Sequence, residues 1–331
     1  MRVLLLGATD VRNSDATLLL GKAMERAGCT VRVLPVTAGL PLLAGISLVA
    51  GQVGDPMFVA VFNRRLLARA ADFRPDVVFL YGSNWCVLPQ TIRLLRRRHG
   101  CQVVLWEVNQ RIFGGLEAAT VPLYDQVYVL DSYFVAALRV MGASRVHHLA
   151  ACADPDEHAP AALSPQEEEW YAAEVSFVGT RTDERASMLA PLAHTELRVY
   201  GTGWSGSGPP LEGRVRDEPV YGLKKAKIYS ASRLSLNVHQ PHMVHGENFR
   251  VFEVAACGGL SISRSTPDLV RLLDPGKEIL VFDGPERLRR AVDHYLRHPD
   301  QRDEIAAAGR RRVLRDHTYD HRAAAIMSTL P

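Results

Sequence analysis

The sequence predicts an α/β protein made of two doubly wound, Rossmann-like domains facing a central cleft. Three observations carry this prediction. At 331 residues the chain is about twice the usual domain size, so two cores are expected. Short, continuous apolar runs alternate with segments of helix length in both halves, as parallel strands joined by crossover helices require. A single stretch, ADPDEHAPAALSPQEEEW (153–170), interrupts the rhythm with proline, alanine and acid. Hydrophobic residues at 47% and charged residues at 23% are ordinary for a folded globular chain and exclude disorder.

RVLLLGA (2–8) is an apolar run of strand length, suited to a parallel strand buried on both faces. SDATLLLGKAMERAG follows as a helix, with Ser14 or Asp15 as N-cap and Gly28 as the stop, and TVRVLPV returns as a strand. PMFVAVFNRRLLARAADF and LPQTIRLLRRRHG read as helices, separated by the strand PDVVFLYG (75–82). CQVVLWEV (101–108), YDQVYVLD (124–131) and RVHHLAA (145–151) continue the first sheet. After the linker, which holds a short helix, the strands EVSFVGT (174–180), LRVYGTGW (197–204), RLSLNVH (233–239), GLSISRS (259–265) and EILVFDG (278–284) build a second. Helices are expected at DERASMLAPLA and near YGLKKAKIYSAS, then at PERLRRAVDHYLRHP and PDQRDEIAAAGRRRVLRDH. The domain boundaries expected are 1–152 and 171–317 around a linker at 153–170, with 318–331 as a terminal segment.

Several function classes fall away. Net charge is only +3, and runs such as RLLRRRHG (93–100) lack interleaved aromatics, so solvated helix faces explain them better than nucleic acid does. Five widely spaced cysteines without a C-x-x-C pair suit a reducing cytoplasm rather than a disulfide scaffold or a cysteine zinc site. The first apolar run is too short for a secretory signal. AGLPLLAGISLVAGQVG (38–54) falls short of the roughly 20 apolar residues a membrane span needs; it is expected to be a buried or lid-like segment, with an interfacial or apolar-acceptor surface as the other reading. The first turn, LLLGATDVRNSD, has one glycine where a dinucleotide fingerprint has three, and neither a P-loop nor a G-x-S-x-G elbow occurs. His239, His242 and His245 recur every three residues beside Glu247, but Pro241 opposes the helix that would converge them on a metal. One or two of these imidazoles are expected to face a polar ligand.

The informative stretch is HGENFRVFEVAACGG (245–259), polar at its start and apolar thereafter. Asn248 to Cys257 has helix length with Gly258 as the stop, so a helix begins just after a strand's carboxyl end. Its N-terminal dipole favours a phosphate, and Arg250 in the first turn adds a charge-assisted contact. Glu253 lies five residues beyond Asn248, about 7.5 Å along the axis, the reach from a pyrophosphate to its ribose. On spacing alone, an Arg250–Glu253 surface pair at i,i+3 accounts for the carboxylate equally well.

Residues 247–323, with the series FEVAACGG, TPDL and GRRRVL, resemble the glycosyl-transferase module of the spore-maturation CgeB-like proteins, a branch of the GT-B glycosyltransferases related to family 4. VSFVGTRTDER (175–185), LRVYGTGW and HLAACADPDEHAP also match that family, so the likeness covers most of 145–325. The resemblance implies a GT-B fold and transfer of a sugar from a UDP-, dTDP- or GDP-sugar to a small-molecule or natural-product acceptor. It implies that Glu253 binds the donor ribose, and that Gly179, Thr180, Arg185 and Arg250 form the diphosphate site. It also implies a last helix, TYDHRAAAIMSTL, crossing back to the first domain. Related family 4 enzymes carry a glutamate eight positions before Glu253, where this chain has His245; the donor-sugar contact is left to His245, Glu247 and Asn248, with Phe249 in the same binding stretch.

The one D-x-D triplet, Asp154-Pro155-Asp156, lies in the proline- and acid-rich linker, and no cofactor or metal is expected, because arginines and a helix N-terminus neutralise the departing diphosphate. An inverting reaction needs a general base, for which Asp10, Asp15 and Glu107 are candidates; N-cap or loop acids are the plain alternative. A sugar-nucleotide epimerase on the same fold and a catalytically silent nucleotide-sugar-binding protein are the competing readings.

Overall fold

The computed structural model describes residues 1–9, 16–36, 56–82, 84–108 and 115–330. The apolar stretch 38–54 and the cap candidate Ser14 lie outside them. The chain divides into two compact units, Met1–Ala150 with Tyr319–Pro331, and Ala151–Thr318.

The first unit carries a six-stranded sheet in the order β2-β1-β3-β4-β5-β6, parallel throughout. Its strands are β1 (Arg2–Gly7), β2 (Thr30–Pro35), β3 (Val77–Tyr81), β4 (Gln102–Glu107), β5 (Gln126–Val129) and β6 (Val146–His148). β3 is buried at every position because helices cover both faces, which is why its sequence is a continuous run rather than an alternation. Leu4, Leu6, Val78, Leu80, Val103 and Leu105 meet Phe58, Phe62 and Leu66 of helix Pro56–Phe73 in one core. Helix Pro89–His99 starts with proline at its first position and ends at Gly100, whose N–H donates to Arg96 O. The last helix, Tyr319–Met327, packs in this unit against helix Ala16–Arg26, where Arg26 pairs with Asp320 at 2.8 Å and Cys29 Sγ meets Met327 Sδ. Arg322 is buried there and donates to Ala150 O at 2.7 Å.

The second unit contains β7 (Ala173–Val178), β8 (Leu197–Gly201), β9 (Val215–Asp217), β10 (Ser232–Asn237), β11 (Ser261–Arg264) and β12 (Leu280–Phe282). They form a second parallel sheet in the order β12-β11-β10-β7-β8-β9. The chain begins in the middle at β7, runs outward to β9, crosses back through helix Gly222–Ala231, and then runs outward the other way. The strand order therefore reverses between β7 and β10, and ligands of open parallel sheets bind at the carboxyl ends flanking such a switch point. β9 is not foreseen by the sequence because it is a short, polar edge strand with no apolar run to announce it. The stretch 153–170 lies within this unit: its helix Pro165–Tyr171 has a Ser164/Glu167 capping box, and Lys227 ties Glu167 to helix Gly222–Ala231.

The turns after β7 and β8 touch. Gly201 has φ +135°, and a Cβ there would lie 2.1 Å from the carbonyl oxygen of Gly179. Both the conformation and the contact exclude a side chain. Gly201→Ala is expected to destabilise the second unit by about 3 kcal/mol, whereas Gly206→Ala, at φ +73° with nothing within 4 Å, costs about 1 kcal/mol through the backbone alone. Urea unfolding of the two variants beside wild type measures the difference.

Candidate functional site

The switch point is fastened by an arginine. Arg185, from the first turn of helix Asp183–Leu189, is 3% exposed; its Nη1 donates to Thr180 O at 2.8 Å, and its Nε and Nη2 donate to Val238 O at 3.1 and 3.0 Å. It thereby bolts the turn after β7 to the residue after β10. Burial, and then the nearby Arg250, pull its pKa down to about 9, so it stays protonated at neutral pH. The resemblance puts Arg185 at a diphosphate; here its Nε, Nη1 and Nη2 each donate to a backbone carbonyl, and it shapes the turn that holds Gly179 and Thr180.

Asn237, the last residue of β10 and fully buried, organises what lies above. Its Oδ1 accepts from Arg250 Nη1 at 2.5 Å and from Asn248 Nδ2 at 2.8 Å, and its Nδ2 donates to Ser263 Oγ at 2.9 Å. Asn248 is the N-cap of helix Phe249–Ala256, its Oδ1 accepting from Arg250 N at 3.1 Å. The N-terminus of that helix is thus fixed at the carboxyl end of β10, as the spacing predicts. Arg250 lies over the Phe177 ring at 5.2 Å and against Gly179, where an added Cβ would sit 2.8 Å from its Nη2. Arg185 shares that ring at 5.4 Å. Among the described residues no carboxylate lies within 4 Å of the Arg250 guanidinium, whose side-chain acceptor is a neutral amide.

Glu253 has partners of its own. It is 8% exposed, and its Oε1 takes Lys225 Nζ at 2.7 Å with His158 Nε2 at 3.6 Å. Burial raises its pKa, but Lys225, His158 and the more distant Arg250 outweigh that, leaving the carboxyl below its usual range and ionised. The surface pair Arg250–Glu253, allowed by spacing, is not formed: each residue has its own partner. Among the described residues no donor reaches Glu253 Oε2. The sequence gives Lys225 and His158 no role, although His158 stands in the family-like stretch HLAACADPDEHAP, and only the packing of helix Gly222–Ala231 and the turn 154–158 brings them to Glu253.

Glu247, a candidate for the donor-sugar contact, is an internal group instead. It is 1% exposed, with Oε2 held by His239 Nε2 and Oε1 by Thr266 Oγ1, both at 2.8 Å. His239, 2% exposed, is likewise turned inward rather than toward a ligand, whereas His242 is exposed and His245 half-buried. TPDL (266–269) serves this loop: Asp268 N donates to His245 O at 3.0 Å, and Leu269 N donates to Thr266 Oγ1. In GRRRVL, Arg310 caps the other end of helix Phe249–Ala256 by donating to Ala256 O. Among the described residues no group of three or more His, Cys, Asp or Glu side chains is disposed to hold a metal. All five cysteines are buried thiols.

Of the base candidates, Glu107 ends β4 in the first unit and is fully buried, while Asp10 and Asp15 lie outside the described residues. A cavity of about 290 Å³ among Arg96, Gln102, Asp125 and Arg145 opens at the amino ends of β4 to β6, the end of a parallel sheet opposite to where ligands bind. No described helix is long and apolar enough to cross a membrane.

Residues 181–328 match a family described as glycosyl transferase-like. No curated protein sequence matches the chain. Among solved structures it is similar to sucrose-phosphate synthase from Thermosynechococcus elongatus, at 15% identity over 99% of this chain and 98% of that one, with a TM-score of 0.70. It is similar to HepE from Anabaena in complex with UDP-glucose, at 12% identity over all of both chains, with a TM-score of 0.68. It is also similar to the trehalose-6-phosphate protein from E. coli bound with UDP-2-fluoro glucose, at 13% identity over 100% and 99%, with a TM-score of 0.65. At such identities the likeness is one of fold: the two Rossmann-like sheets are the GT-B fold.

The Glu247 network yields a stability prediction. Glu247→Ala leaves His239 and Thr266 without their shared acceptor inside the protein, and a loss of about 3 kcal/mol is expected in urea unfolding.

Proposed function

We propose that this glycosyltransferase moves a sugar from a nucleoside-diphosphate sugar, a UDP-, dTDP- or GDP-sugar, to a small-molecule or natural-product acceptor without a bound metal. The observation that carries the reading is Arg250: a guanidinium with no carboxylate partner among the described residues, at a helix N-terminus, at the switch point of a parallel sheet. A fixed cation and a helix dipole converging on one place favour an anion, and a diphosphate gathers most charge as the glycosidic bond to it breaks. Glu253, on the same helix with Oε2 unoccupied, stands where the ribose hydroxyls follow the diphosphate. The complex of UDP-glucose with HepE supports a nucleotide sugar as donor.

In this reading residues 171–317 hold the donor and 1–152 the acceptor. Arg250 faces the diphosphate beside Gly179 and Thr180, which leave room for it at the turn after β7. Arg185 holds that turn in shape. His245, Asn248 and Phe249 border the donor sugar. A general base, if the reaction inverts, comes from Asp10, Asp15 or Glu107. Placement in the CgeB-like branch is part of the same reading.

Calorimetric titration tests the donor site. Glu253→Ala removes a carboxylate from two ribose hydroxyls, each such bond being worth roughly 1.5 to 3 kcal/mol. Affinity for the preferred nucleoside diphosphate is expected to fall about tenfold to several hundredfold at 1.4 kcal/mol per decade, with a loss for the nucleoside as well. Arg250→Ala is expected to weaken the diphosphate and spare the nucleoside. Wild-type nucleoside binding by Glu253→Ala would remove the ribose from this position. A panel of UDP-, GDP- and dTDP-sugars separates the activities, because a transferase hydrolyses the donor slowly while an epimerase isomerises the sugar.

Chelation gives a second check. Activity is expected to survive EDTA at near full level, since Arg250 and the helix N-terminus take the role a cation would have. Loss on chelation with recovery on adding magnesium or zinc would return the charge stabilisation to a metal.

A further inference from the structure

Burying a carboxylate is unfavourable unless other groups hold its charge, and Glu253 is 8% exposed. Two groups from outside its helix meet it, and both meet the same oxygen: Lys225 Nζ at 2.7 Å and His158 Nε2 at 3.6 Å, on Oε1. The direction of the histidine contact follows from its other nitrogen. Nδ1 lies 3.0 Å from the backbone N of Asp154, and a backbone N–H only donates, so Nδ1 accepts and the ring's proton sits on Nε2, toward Glu253. The ring is held by a tight turn in which His158 N donates to Asp154 O at 2.8 Å, while Asp156 N and Glu157 N donate to Asp154 Oδ1. Burial first, and Lys225 in addition, lower the pKa of His158 against the opposing carboxylates of Glu253, Asp154 and Glu157, so the ring is neutral at pH 7, its Nε2–H set toward Oε1 at a distance longer than a hydrogen bond.

Resting on the donor placement proposed above, we infer that Lys225 and His158 are positioning residues for Glu253: Lys225 bonds Oε1, the His158 ring closes the space beside it, and the carboxylate is thereby held still, leaving Oε2 to the ribose hydroxyls of the nucleoside diphosphate. The arrangement divides the labour between the two oxygens. A carboxylate tethered at one oxygen has a fixed second oxygen, and a fixed acceptor loses less freedom when a diol docks on it. It also accounts for two sequence features outside the family-like helix: a lysine on the inner side of helix Gly222–Ala231, and a histidine four residues after Asp154, in the stretch that follows the first sheet.

The test measures the contribution of the ribose hydroxyls and not total affinity. UDP and GDP are titrated into wild type, and the tighter binder is compared with its dideoxyribose analogue lacking both hydroxyls. The ratio of the two dissociation constants is expected to be about tenfold to a hundredfold in wild type. In Lys225→Met it should fall below about threefold and in His158→Phe by a smaller factor, with affinity for the analogue unchanged because Arg250 is untouched. Lys225→Arg and His158→Gln, which keep a donor, should recover most of the ratio. Variants that keep the wild-type ratio, or that lose the analogue as fully as the diphosphate, would make Lys225 and His158 structural only and overturn the inference while leaving the donor site standing. A wild-type ratio near one, or binding of dTDP, which lacks the 2′-hydroxyl, in place of both UDP and GDP, would overturn the ribose placement and this inference together, and failure of wild type to bind any of the three would overturn the proposed function itself.

Discussion

The hydrogen bond from Arg250 to the side-chain oxygen of Asn237 sets the geometry of the second unit's functional end. Asn237 is fully buried at the end of β10, so its amide has a single orientation available, with Nδ2 on Ser263 and Oδ1 turned to Arg250 and Asn248. An amide compensates a guanidinium's hydrogen bonding without cancelling its charge. The cation therefore remains electrostatically open, which a carboxylate at the same place would have prevented. Glu247, His239 and Thr266 continue the network beneath the helix N-terminus, with His239 Nδ1 left as a buried nitrogen that meets no hydrogen-bond partner among the described residues.

Around that bond the backbone approaches more closely than side chains allow. Gly179 leaves room for the guanidinium, and Gly201 leaves room for the carbonyl of Gly179. Arg185 then ties the two strands of the switch point by their carbonyls. The two arginines that share the Phe177 ring have opposite tasks for a simple reason: one is 3% exposed and bonded on three nitrogens, and the other is half-buried at a helix end. Burial separates a brace from a partly exposed cation where residue type does not.

Glu253 shows the complementary solution for an anion. One helix carries a cation that lacks a counter-charge among the described residues and, three residues later, an anion that has one: an ion pair to Lys225, with the His158 ring 3.6 Å from the same oxygen. The helix thereby presents a positive end and an anchored acceptor three residues apart. The i,i+3 spacing would let the two neutralise each other; the outside partners keep them separate.

Much of this is legible in the order of residues alone. The strands of both sheets, apart from β9, can be read because a strand buried on both faces must be apolar along its length, and the helix at Phe249 can be read from Asn248 before it and Gly258 after it. Arg250 and Glu253 stand out because polar groups at the start and middle of an apolar segment need a reason. What the chain does not disclose are partners distant in sequence: Lys225 and His158 for Glu253, Asn237 for Arg250, and the inward turn that makes Glu247 and His239 internal. Local rules act over a few residues, through backbone geometry and periodicity, and they dictate the elements and the positions of charge along them. Which charges are cancelled and which are left open depends on contacts across tens of residues, and those exist only once the order β12-β11-β10-β7-β8-β9 has brought the ends of β7 and β10 side by side.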